Sequence, residues 1–265
     1  MLHATWNAVA KNFADLRDSF ALINIGVFLT CVVALPFVGI ADSRAVWYLA
    51  AAVVVHQMYE LALMVAYRHG DLSKSYPLAR GVAPLLVSLG GFVFAGERMD
   101  AFGVAGLFVI VAGISLLAIQ RTGHVTSLTP VAWALATGAA IAAYTVIDGL
   151  GVRASHSAPR YAVTLFLLQS SSWLVAVTVR RGWSWRPSLS KTTLGMLGGI
   201  LSMVGYFTVL WAQTKAAMGA VSALRETGVL WASIFGVVFF REGNFRRIVP
   251  PAMLIVVGVA FLSVG

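Results

Sequence analysis

Apolar residues run along this chain in blocks, each closed by a short polar or charged break. A membrane-crossing helix needs about 20 such residues. On length and breaks, the pattern predicts helices over roughly 19–41, 46–68, 75–96, 101–120, 129–149, 160–180, 192–213, 217–240 and 246–265. A shorter apolar stub at 1–12 completes a set of ten. It ends at Lys11, about half of the length a span requires, so the natural start is expected upstream of Met1 or inside a shortened helix. Connections such as GERMD (96–100) and REGNF (241–245) are only a few residues long, and no segment reads as a soluble domain.

The blocks repeat. A gapless shift of 145 positions lays Arg80 on Arg225, Leu85 on Leu230, Ser88 on Ser233 and Gly91 on Gly236. It also lays Glu97 on Glu242 and Gly113 on Gly258. Coincidences among apolar residues are cheap, but Arg, Glu and two Gly in one register are not. The chain therefore reads as two five-helix repeats, 1–120 (truncated at its start) and 129–265. An odd number of helices makes the second copy enter the membrane from the opposite side. The expected fold is thus an all-α integral membrane protein with two inverted repeats and a site near the midplane between them.

Composition agrees. The 265 residues are 59% hydrophobic and 11% charged, with a mean hydropathy of +0.85, whereas soluble domains are about a quarter charged. The formal charge of +9 sits mostly in the breaks between apolar blocks, with no basic face, so it points to membrane topology and away from nucleic acid. A lone cysteine, Cys31, excludes disulfides and cysteine metal clusters. The positive-inside rule applied to these breaks places both termini outside.

Three stretches, AYRHGDLSKSYPLARG (66–81), AYTVIDGLGVR (143–153) and ALRETGVLWASIFGVVFFREG (223–243), resemble segments of EamA-type transporters of the drug/metabolite transporter superfamily. The resemblance covers nearly the whole chain. It implies ten helices in a 5+5 arrangement, export or exchange of a small metabolite, and a multi-pass place in a bacterial inner membrane. It also implies cytoplasmic termini, against the charge rule.

The candidate chemistry lies where charges interrupt the apolar blocks. In YPLARGVAPLL (76–86), Arg80 sits between Pro77 and Pro84 and beside Gly81, with Tyr76 at the start. A mid-membrane charge costs about 2.5–3.5 kcal/mol on insertion scales, so it is expected to face a cavity, on a helix broken or kinked by the prolines. Arg225 is its repeat mate. Farther back, His56, Glu60 and Tyr67 fall on one helical face, and the His–Glu pair one turn apart suggests proton coupling. Tyr206, Trp211, Arg225 and Glu226 are expected to line the same cavity. Because neighbours on a helix point about 100° apart, Arg225 and Glu226 are not expected simply to neutralise one another. A pairing across the two halves, Arg80 with Glu226 for instance, is open, and substrate or Glu60 are the other groups that would balance Arg80. Asp148 and Asn7 occupy similar points in the two halves, either interfacial or facing the cavity. Glu97 and Glu242 end helices beside turns and read as caps.

No GxSxG, HExxH or CxxC motif occurs, and two ligands at HxxxE spacing do not complete a metal site. The expectation is a transporter with no catalytic residues, no metal and no cofactor, whose partners are a small-molecule substrate and the lipid bilayer. The alternatives are a non-transporting accessory or sensor protein and, further off, an intramembrane enzyme.

Overall fold

The computed structural model describes residues 16–69, 72–122, 128–181, 189–228 and 245–264. Among them the chain forms nine α-helices, one 3-10 turn at Ser43–Ala45 and no strand. In order these are α1 (Leu16–Val38), α2 (Val46–His69), α3 (Leu72–Ala95), α4 (Ala101–Thr122) and α5 (Leu128–Ala154). They continue with α6 (Ala158–Arg181), α7 (Leu189–Gln213), α8 (Met218–Glu226) and α9 (Phe245–Val264). Seven of the expected blocks are complete helices between 16 and 213, and an eighth matches α9. The ninth, 217–240, is described only as far as α8 and the few residues after it. The expected stub at 1–12 lies outside the described residues.

By length and composition, four stretches among the described residues can cross a membrane: Ala21–Val38, Ser43–Ala62, Leu135–Ala154 and Gly195–Gln213. Large apolar side chains are exposed along the helices, among them Phe37 at 87%, Trp47 at 83% and Val179 at 81%. Apolar surface on that scale needs lipid or protein to cover it.

Two helices end on glycines that take a left-handed turn, Gly39 after α1 (φ 81°) and Gly96 after α3 (φ 64°). A Cβ disfavours that backbone conformation, so glycine is what lets the next helix start within a few residues. Of the break or kink expected around Arg80, the break does not occur. Helix α3 is continuous from Leu72 to Ala95, through both Pro77 and Pro84, with no break around Arg80. A proline removes one backbone donor, but a helix can continue past it when neighbouring groups re-satisfy the freed carbonyl.

The chain divides into two compact units, one within Met1–Val54 and Asp148–Thr214, the other within Val55–Ile147 and Lys215–Gly265. Each draws on both of the sequence repeats. In the first unit α1 packs against α6 and α7. Its core holds Leu22, Ile23 and Val27 of α1, Leu165 and Phe166 of α6, and Leu210 of α7, all buried. At Gly195 and Gly199 the α7 backbone approaches α1 so closely that a Cβ would lie 2.4 Å from Leu22 Cβ or Ile23 O. These are two of the glycines expected to serve close packing.

In the second unit the core is Leu107, Ile110 and Ile114 of α4 with Ala223 of α8 and Ile255 of α9. Helices α4 and α9 run antiparallel: Phe102 meets Phe261 edge-on at 6.3 Å, Gly106 lies against Gly258, and Gly113 lies against Pro251 and Ile255. A Cβ on Gly106 would be 2.7 Å from the Gly258 carbonyl oxygen, and one on Gly113 would be 2.9 Å from that of Pro251.

Candidate functional site

Polar side chains buried in apolar helices form one cluster in each unit. That of the second unit is centred on Tyr144, buried on α5. His56 of α2 stacks on its ring at 4.2 Å with the planes 23° apart, and Tyr59 meets it edge-on at 5.4 Å. The Arg225 guanidinium lies over the same ring, 5.9 Å from its centre. That distance is within the range at which an aromatic face attracts a cation. Arg225 Nε donates to Glu226 Oε1 at 3.0 Å, and the Glu226 side chain is fully buried.

This pair corrects the expectation that Arg225 and Glu226 would not neutralise one another. The two Cβ atoms do diverge, but the residues form the last turn of α8, which ends at Glu226. The arginine and carboxylate side chains nevertheless meet at 3.0 Å. Burying two charges is costly unless they meet at close range with further hydrogen bonds, and here the ion pair and the aromatic face supply part of that compensation.

The N-terminus of α8 is fixed separately. Ala217 occupies its cap position and provides no side-chain hydrogen bond. Glu97, which follows α3, supplies the missing acceptor: its Oε2 accepts from Met218 N at 2.9 Å. A carboxylate at a helix N-terminus also faces the positive end of the helix dipole. Gly91 makes room for it, since a Cβ there would sit 2.5 Å from Glu97 Oε2. Glu97 therefore caps a helix, as expected, but one that begins more than a hundred residues further on. Its repeat partners Gly236 and Glu242 lie outside the described residues.

The cluster in the first unit is centred on Asp148, fully buried on α5. Tyr161 of α6 donates to Oδ1 at 2.9 Å, and Tyr206 of α7 donates to Oδ2 at 2.5 Å. One carboxylate thus joins three helices through both of its oxygens. Gly151, almost one turn after Asp148, gives Tyr161 its place: a Cβ at Gly151 would lie 2.5 Å from the phenol oxygen. Phe166 meets the Tyr206 ring edge-on at 6.0 Å. Arg153, further along α5, donates from Nε to the Gln213 carbonyl at 2.8 Å.

The residues singled out from sequence distribute as follows. His56, Arg225 and Glu226 come together around Tyr144, and Glu60, one turn beyond His56, is partly buried. Tyr206 belongs to the other unit, in the Asp148 cluster, and Trp211 on the same helix is 52% exposed. The side chains of Arg80, Tyr67 and Tyr76 lie outside the described residues. Sequence reading did not single out Tyr144 or Tyr161, and it left Asp148 undecided. For Tyr144 and Asp148 the signal was the polar content of AYTVIDG (143–149) in an otherwise apolar block; Tyr161 lies outside that stretch.

No family model and no curated protein matches the chain. Among solved structures, one described only as "Crystal structure of protein" is similar in fold, with a TM-score of 0.76. The identity is 17%, over 98% of this chain and 91% of that one.

Proposed function

We propose that the chain is a secondary transporter of the EamA type, which exports or exchanges a small metabolite across a bacterial inner membrane. The observation that carries this reading is the ion pair Arg225–Glu226, buried against Tyr144 among helices apolar enough for lipid. Ionisable residues at such positions are expensive and mark substrate or ion pathways by default. In this reading Arg225 and Glu226 engage the substrate or its coupling ion, with Tyr144 and His56 forming the aromatic wall beside them.

The packing of α4 on α9 supports the inverted-repeat architecture that such transporters use. The 145-residue shift lays Gly113 on Gly258 and Gly106 on Pro251. Under it, the contact of Gly113 with the Pro251 carbonyl becomes the contact of Gly258 with the Gly106 carbonyl, and both are present. Contacts that exchange roles are the mark of a two-fold relation. Repeat mates that run antiparallel are what opposite insertion requires.

The test is a comparison of small metabolites in cells carrying the intact protein, the Glu226→Gln variant, or neither. At least one compound should differ between cells with and without the intact protein, and the variant should match cells without it. Identical profiles in all three, with equal protein in the membrane, would overturn the reading.

A further inference from the structure

We propose that the turn joining α1 to α2, docked on the start of α6, binds the phosphate headgroup of an anionic phospholipid through Arg44 and Arg160. Three of the stretches able to cross a membrane end or begin here, Ala21–Val38, Ser43–Ala62 and Leu135–Ala154. A turn between such stretches lies at the depth of the headgroups. Phe37, in the last turn of α1, and Trp47, in the first turn of α2, are two of the most exposed large apolar side chains. An exposed tryptophan at the end of a span belongs to the interfacial belt.

The turn holds its shape through its own hydrogen bonds. Gly39 N donates to the Leu35 carbonyl, Ala45 N to that of Asp42, and Arg44 N to Asp42 Oδ1. Ala41 N donates to Thr164 Oγ1 at 2.9 Å, which ties the turn to α6. Arg160 of α6 donates from Nε to the Val38 carbonyl at 3.2 Å, and Arg44 Nη1 donates to His156 Nε2 at 3.4 Å. One guanidinium thus stands at each end of the turn, and both arginines are exposed. Among the described residues no carboxylate pairs with Arg160, and Asp42 lies 3.9 Å from Arg44 Nε, too far for a hydrogen bond. A guanidinium carries its N–H groups in a plane that meets two phosphate oxygens together. Two cations against the carboxylate of Asp42 leave the turn positive, which favours an acidic headgroup over a zwitterionic one.

The inference rests on the membrane setting of the reading above and not on transport. The test titrates purified full-length protein in detergent with phosphatidylglycerol, phosphatidylcholine or inorganic phosphate, and follows bound molecules by native mass spectrometry. Wild type should retain phosphatidylglycerol more tightly than phosphatidylcholine. Arg44→Gln and Arg160→Gln should each weaken that retention about fivefold. Asp42→Asn keeps an oxygen acceptor for the turn and removes the opposing charge, so it should strengthen retention, a gain that misfolding cannot imitate. Arg98→Gln, on the turn between α3 and α4, should change nothing. Equal retention of the two lipids, undiminished retention in both arginine variants, or an equal loss in Arg98→Gln would overturn the site. Displacement of phosphatidylglycerol by inorganic phosphate at equal concentration would overturn the lipid as its occupant. Because no substrate is involved, failure of the transport reading would leave these results untouched.

Discussion

The two units each bury a carboxylate completely, yet they accommodate it differently. Glu226 in the second unit is held by a guanidinium at 3.0 Å, with an aromatic ring beneath the cation. Asp148 in the first accepts hydrogen bonds from two phenols, one on each oxygen. The Glu226 carboxylate is met by an opposite charge at hydrogen-bond range. Phenol hydrogen bonds hold Asp148 without adding a charge of their own. The same carboxylate chemistry thus gives a charge pair in one unit and a hydrogen-bonded junction of three helices in the other.

Removing Arg225 should produce the largest effect. Breaking a buried pair from one side costs about 3–5 kcal/mol, so Arg225→Ala should lower the thermal midpoint in detergent strongly and abolish transport. The double variant Arg225→Ala/Glu226→Gln should recover much of the stability and none of the transport. If the single and double variants unfold together, the pair does not stabilise the fold in the way its geometry suggests.

The next effect belongs to the first unit. Gly151→Ala places a methyl group where Tyr161 stands, and overpacking of that kind costs about 1–3 kcal/mol. Tyr206→Phe, which removes one donor to a buried charged acceptor, should cost about 1.5–3 kcal/mol. Both are read by denaturation at neutral pH. Equal stability of Tyr206→Phe and wild type would mean that the phenol contributes nothing to holding α7.

The smallest effect should come from Glu97. An N-terminal cap is worth about 0.5–2 kcal/mol, so Glu97→Ala should destabilise modestly. Glu97→Gln retains an oxygen acceptor and should cost only the charge–dipole part, about 0.3–1 kcal/mol. A Glu97→Gln protein less stable than Glu97→Ala would contradict the capping role.

How much of this was legible in the sequence follows from the range of each signal. Helix positions were legible because lipid sets their length and charged breaks mark their ends. The block expected at 46–68 is Val46–His69, and the one at 192–213 is Leu189–Gln213. Glu97 was legible as a cap because it stands at a helix end beside a turn, although its partner Met218 was not. The Asp148 cluster was not legible, because its donors stand 13 and 58 residues away on other helices. Spacing along one helix cannot reveal them. The Arg225–Glu226 pair was missed for the opposite reason. A rule about Cβ directions says nothing of the ends of two long side chains, which here meet at 3.0 Å.

The central claim, that the buried charge of the second unit carries transport, is tested most directly in vesicles. Purified protein is reconstituted into liposomes preloaded with a small-metabolite extract of its own cells, and release is followed by mass spectrometry. Wild type should release a defined subset of compounds faster than empty liposomes, and Glu226→Gln, inserted to the same extent, should not. Release of the same compounds at the same rate by both proteins would contradict the account.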